Sequence, residues 1–155
     1  MNGIRQHRLR AVLRGLAIIA LGVSGVALAG SAAADATDDY PIPHRMMVTT
    51  CTAEQILSAA RDFEPIYYER YMIDKHNRPL DVQQAAVDRA RWLYTLTRGQ
   101  RRAYSEEIAT NIYGEPMAQR WGNWAKIFFN NKGVAAKETD NCANYPPDDA
   151  SVWDG

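Results

Sequence analysis

Residues 51–76 read CTAEQILSAARDFEPIYYERYMIDKH, and this stretch decides the fold class. Thr52 and Gln55 have the spacing of a capping box, in which each side chain satisfies the other's backbone N–H at a helix start. Ala53, Ile56, Leu57, Ala60 and Phe63 then recur at helical spacing, which predicts a helix over residues 53–63. Pro65 ends that helix and suits the first turn of another, because a proline at that position gives up an N–H that has no helical partner anyway. The second helix is predicted over 65–76, with Ile66, Tyr67, Tyr71 and Met72 on its apolar face.

Working outward, Asn77-Arg78-Pro79 reads as a turn. A longer helix follows from Leu80 to Leu96, with Val82, Ala85, Ala86, Ala90, Leu93 and Leu96 on its buried side. Thr97 and Gln100 form a second capping box, opening a helix that runs to about Tyr113, with Gly114 as its C-terminal cap. Pro116 starts a fifth helix, ended by Asn130-Asn131-Lys132-Gly133. Met117, Trp121, Trp124 and Phe128 recur along it as one apolar stripe. Upstream, residues 35–50 read as an extended lead-in, since Pro41 and Pro43 bias the residues before them away from helix. Downstream, Val134–Gly155 reads as mostly irregular, with 143–155 an irregular tail strapped to the helices through Cys142. No segment alternates apolar and polar residues as a half-buried strand does. The expectation is an all-α fold of about five helices in one domain spanning residues 35–155.

The first 34 residues have a different character. Arg5, Arg8, Arg10 and Arg14 precede an apolar run from Leu16 to Ala29. At about 14 residues the run is shorter than the roughly 20 that a membrane-spanning helix requires. Ala32-Ala33-Ala34 offers a small-residue cleavage site. These features predict a secretory signal peptide over 1–34 of the general export type, cut after Ala34. The segment holds four of the 18 basic residues and none of the 18 acidic ones. The remainder therefore has a formal charge of −4. That balance disfavours nucleic-acid binding, which needs a cationic footprint, and polybasic attachment to anionic lipid. No stable membrane insertion is expected once the signal is removed, and the protein is expected in the periplasm or cell envelope, or in the medium.

Cys51 and Cys142 are the two cysteines of the chain. In an oxidising compartment a lone pair in a small domain is most simply a disulfide. The loop it closes, about 90 residues long, corresponds to roughly 4–5 kcal/mol in the chain-entropy picture. There is no C-x-x-C for redox work. His44 and His76 do not have the spacing of a zinc finger with these cysteines.

The chain lacks the motifs of common catalytic sites: G-x-S-x-G, H-E-x-x-H, a phosphate loop and G-x-G-x-x-G are all absent. His44 and His76 have no neighbouring nucleophile in sequence. Glu64 and Glu69 flank a tyrosine-rich segment, and Glu106 and Glu107 are adjacent on one helix and so face different sides; neither pair is a convincing glycosidase couple. No catalytic residue, metal or cofactor is expected. Among the aromatic residues, Tyr71, Trp121 and Phe128 are expected in the core. Tyr68 and Phe129 fall off the apolar stripes and are expected as exposed contacts for a ligand or partner.

The strings DYPIPHRM, TTCTAEQIL, YYERYMIDKHN, RRAYSE, KIFFNNKG and the ending C-x2-YP-x4-SVW resemble a family of small exported mycobacterial proteins. That family includes a periplasmic "cinched" protein needed for siderophore secretion. The resemblance runs from about Asp39 to Trp153. It departs at GQRRAYSE, where the family has a SPEERR-like helix start. It implies an all-helical fold whose ends are tied by one disulfide, here Cys51 to Cys142. It further implies residence outside the inner membrane and a non-enzymatic role in exporting mycobactin-type siderophores, through an export pump or the siderophore itself. The alternatives are a secreted binding module for another lipid-like or planar ligand, and an envelope enzyme with an unrecognised site.

Overall fold

The computed structural model describes residues 40–129 and 131–155. The signal segment 1–34 and its cleavage site lie outside the described residues. Within these, the fold is all-helical without a strand: α1 (His44–Val48), α2 (Ala53–Phe63), α3 (Pro65–His76), α4 (Leu80–Thr95), α5 (Arg98–Thr110) and α6 (Lys132–Asn141), with short 3-10 turns at Ile112–Gly114, Cys142–Asn144 and Ala150–Trp153.

Both capping boxes form. Thr52 Oγ1 accepts from Gln55 N–H at 3.2 Å while Gln55 Oε1 accepts from Thr52 N–H at 3.0 Å, and Thr97 and Gln100 repeat the arrangement at the start of α5. α2 is the central helix. It packs against α3, α4, α6 and the 3-10 turns at Cys142–Asn144 and Ala150–Trp153, the second of which belongs to a C-terminal strap over residues 143–155. Ile56 to Ala60 are consecutive and all fully buried, as expected of a helix surrounded on every side. The Cys51–Cys142 disulfide joins the residue before the α2 cap to the residue after α6, across a sequence separation of 91, with Cα atoms 6.2 Å apart. Both ends of the folded body are therefore fixed to the same end of α2.

Besides α5, which stops at Thr110 with Asn111 as its cap and leaves Gly114 in a separate 3-10 turn, three segments differ from the sequence reading. The lead-in holds α1, a helix of only five residues, too short for an apolar period to be recognised. Its Met46 and Met47 are buried, as is Ile42 just before it. The predicted fifth helix is instead a succession of turns. Ala118, Trp124, Lys126 and Phe128 N–H each donate three residues back, while Trp121 and Phe129 donate four back. Gly122-Asn123, both poor helix formers, lie in the middle. The winding still keeps Met117, Trp121, Trp124 and Phe128 on one buried side. Phe128 sits among the rings of Tyr71, Tyr94 and Trp153, with centroids 6.2, 5.7 and 6.1 Å away. Third, part of the predicted irregular tail is α6, capped by Asn131 Oδ1, which accepts from Gly133 and Val134 N–H.

α6 carries a buried acid. Glu138 is fully buried against the core, and neither carboxyl oxygen has a hydrogen-bond partner. Burial, and then the negative charge of Glu64, push its pKa up to about 9, so it is protonated in the folded protein at neutral pH. In the unfolded chain it ionises near its usual value of 4.5. Folding must therefore retain a proton that the unfolded chain releases. Stability is full below the unfolded value and declines as pH rises from there toward the folded value. At pH 7 the cost is about 3 kcal/mol. Glu138→Gln is expected to raise the urea midpoint at pH 7 and to remove most of the decline between pH 5 and pH 8. Parallel pH slopes for the two proteins would contradict the assignment.

Candidate functional site

The C-terminal strap is held by buried polar groups as well as by the disulfide. Tyr68 Oη donates to Val152 O at 2.8 Å, and Lys75 Nζ donates to Trp153 O at 2.7 Å. Trp153 Nε1 donates to Glu54 Oε1 at 3.0 Å, an oxygen that also accepts from Arg91 Nε at 2.6 Å. Nearer the disulfide, Gln55 Nε2 donates to Tyr145 O and Thr52 Oγ1 to Pro147 O. Tyr145 Oη donates to Asp62 at 2.6 Å. Burial, reinforced by Asp62, pushes the Tyr145 hydroxyl up to about 12, and that same hydroxyl holds the Asp62 carboxyl below its ordinary value. The strap thus runs along α2 and α3 with Val152 fully buried and Trp153 nearly so.

This arrangement corrects the reading of α3. Its buried face is Tyr68, Tyr71, Met72 and Lys75. Tyr68 was expected to be exposed but lies in the core, while Ile66 and Tyr67, expected inside, point outward. Phe63 is likewise exposed. Phe129 is half-buried, with its ring against that of Trp124 at 6.0 Å. Tyr68 therefore presents no exposed contact surface, and Phe129 presents only part of its ring.

The remaining sequence candidates are dispersed. His44 opens α1 and His76 closes α3. Glu64 pairs with Lys137 at 2.6 Å, Glu106 pairs with Arg102, and Glu69 and Glu107 are exposed. Among the described residues no group of three or more His, Cys, Asp or Glu side chains is placed to hold a metal, and no helix is long and apolar enough to cross a membrane.

Two concave features flank α3. One is a wide groove beside the strap, about 760 Å³, lined by Lys75, Leu80, Gln84, Arg91, Trp153 and Asp154 among others. Its central charges are already used, Arg91 by Glu54 and Lys75 by the Trp153 carbonyl. The other is smaller, about 120 Å³, between α3 and the turns of residues 116–129. Tyr67, Arg70, Tyr71 and Asp74 line it from α3, and Asn123, Lys126 and Ile127 line it from the turns. Tyr71 is fixed there: its ring stacks on Trp121 with centroids 5.3 Å apart, and its hydroxyl donates to Trp124 O at 3.0 Å. Burial alone would raise the Asp74 carboxyl. Arg78, donating at 2.6 Å, and Trp121 Nε1, donating at 2.8 Å, together with Asn123, hold it below the usual range. Helical spacing places Tyr67, Arg70, Tyr71 and Asp74 side by side. What hid the pocket from a sequence reading is its other wall, contributed by a segment that reads as a helix but is not one.

A family model described as a domain of unknown function (DUF5078) matches residues 37–155, and the chain belongs to that family. No curated protein matches it.

Proposed function

We propose that this DUF5078 member is a non-enzymatic protein of the cell envelope that assists siderophore export, by holding the siderophore or by engaging the pump that moves it. The observation that carries the reading is the tie between the two ends of an all-helical body, Cys51 to Cys142. This is the architecture implied by the sequence's resemblance to the exported mycobacterial family. A structural disulfide also accords with an oxidising compartment. The dispersal of the histidines and carboxylates over separate elements favours action by binding over turnover.

The test is a deletion strain grown under iron limitation, with siderophore measured separately in medium and cells. Siderophore is expected to accumulate in the cells and fall in the medium while synthesis continues. Unchanged secretion would remove this reading. The alternative of a secreted binding module for a different planar ligand would then lead, favoured by the tyrosine-lined pocket beside α3.

A further inference from the structure

We propose that the pocket between α3 and the turns of residues 116–129 binds a single aromatic ring carrying an anionic group, such as a small aryl carboxylate. The inference stands on the pocket alone and does not depend on the export role.

Size and walls select the ring. At about 120 Å³ the pocket approaches the roughly 150 Å³ of an apolar cavity that takes benzene. It is too small for a lipid chain or a fused polycyclic ligand. Tyr67, Tyr71 and Ile127 supply apolar walls. Tyr71 is locked by its stack on Trp121 and by its bond to the Trp124 carbonyl. A fixed aromatic wall costs little ordering when a second ring packs on it.

Charge selects the anion. Arg70 and Lys126 both line the pocket and are exposed, and among the described residues neither side chain has an ion pair or hydrogen bond. Other arginines of the fold, including Arg78, Arg89, Arg91 and Arg120, are matched to carboxylates. Asp74, the acid in the lining, does not cancel the two cations, because Arg78 and Trp121 Nε1 occupy its two oxygens. The mouth therefore presents a guanidinium fork suited to a planar carboxylate and an ammonium point charge.

The test uses the oxidised full chain with three probes: benzoate, its neutral isostere benzamide, and propionate, an anion without a ring. Backbone amide NMR reports the site through Asn123, Lys126 and Ile127. Benzoate is expected to shift these amides saturably in the millimolar range, with benzamide and propionate each at least about tenfold weaker. Arg70→Gln combined with Lys126→Gln is expected to weaken benzoate by about tenfold, two exposed ion pairs' worth, with an unchanged melting temperature. Tyr67→Ala is expected to weaken benzoate without restoring binding of propionate. Absence of saturable shifts at these amides, equal binding of benzamide, or an unaffected double variant would each overturn the proposal. Such a result would leave the export role untouched, since siderophore partition decides that separately.

Discussion

Replacing Arg101 by methionine is expected to lower the unfolding free energy by about 3–5 kcal/mol, measured as a shift of the urea midpoint with an unchanged slope. Arg101 opens toward the interior from the first turns of α5 and is 4% exposed. Its Nε donates to Leu93 O at 3.2 Å and Nη2 to Tyr94 O at 2.9 Å, both in the last turn of α4. Its Nη1 donates to Met46 O at 3.0 Å and Thr49 O at 2.8 Å, at the end of α1. The last carbonyls of a helix have no partner within it. One guanidinium supplies partners to two helix ends and docks α1 onto the α4–α5 junction, with the Tyr94 ring alongside at 5.1 Å. Methionine keeps much of the volume and removes all four donors. Arg101→Lys keeps the charge without the fork and is expected to lose an intermediate amount. A methionine variant within 1 kcal/mol of wild type would show that water satisfies these carbonyls equally well.

Where the sequence was legible, local chemistry matched tertiary context. The two Thr-x-x-Gln boxes mark the starts of α2 and α5, Pro65 sits at the first turn of α3, and the apolar period of α4 falls on Val82, Ala86, Ala90 and Leu93. The disulfide followed from two cysteines and a compartment argument.

Where reading failed, a charged residue occupies a buried position. In α3 the true inner face is Tyr68, Tyr71, Met72 and Lys75; the lysine breaks the apolar period, so the tyrosines sort onto the wrong sides. Lys75 is tolerated because its ammonium meets the Trp153 carbonyl, although burial pulls its pKa down. In α6 the buried set is Val134, Ala135 and Glu138, and the acid at the third position makes an amphipathic helix read as polar. Arg101 is hidden in the same way, since arginine in a polar helix start reads as surface. The pocket beside α3 was legible only in half, because pairing Tyr67 with Ile127 requires the packing of two segments distant in sequence.

The second large effect concerns the strap. Ending the chain after Asn144 leaves Cys51 and Cys142 in place but removes Val152 and Trp153 from the core, where they are 0% and 4% exposed. Loss of a buried tryptophan alone costs about 3–5 kcal/mol. The Tyr68 hydroxyl and the Lys75 ammonium, both buried, also lose their acceptors, and Glu54 keeps only Arg91. The total is expected to exceed about 5 kcal/mol, which is comparable with the whole stability of a small domain. Val152 and Trp153 are thus part of the core, and the disulfide alone does not hold the fold. The most direct measurement is thermal unfolding of the shortened chain, followed by near-ultraviolet circular dichroism, with the Cys51–Cys142 bond verified by intact mass. An oxidised chain without a cooperative transition or fixed aromatic signal is the expected result. An oxidised chain that melts cooperatively within a few degrees of the full-length protein would contradict it.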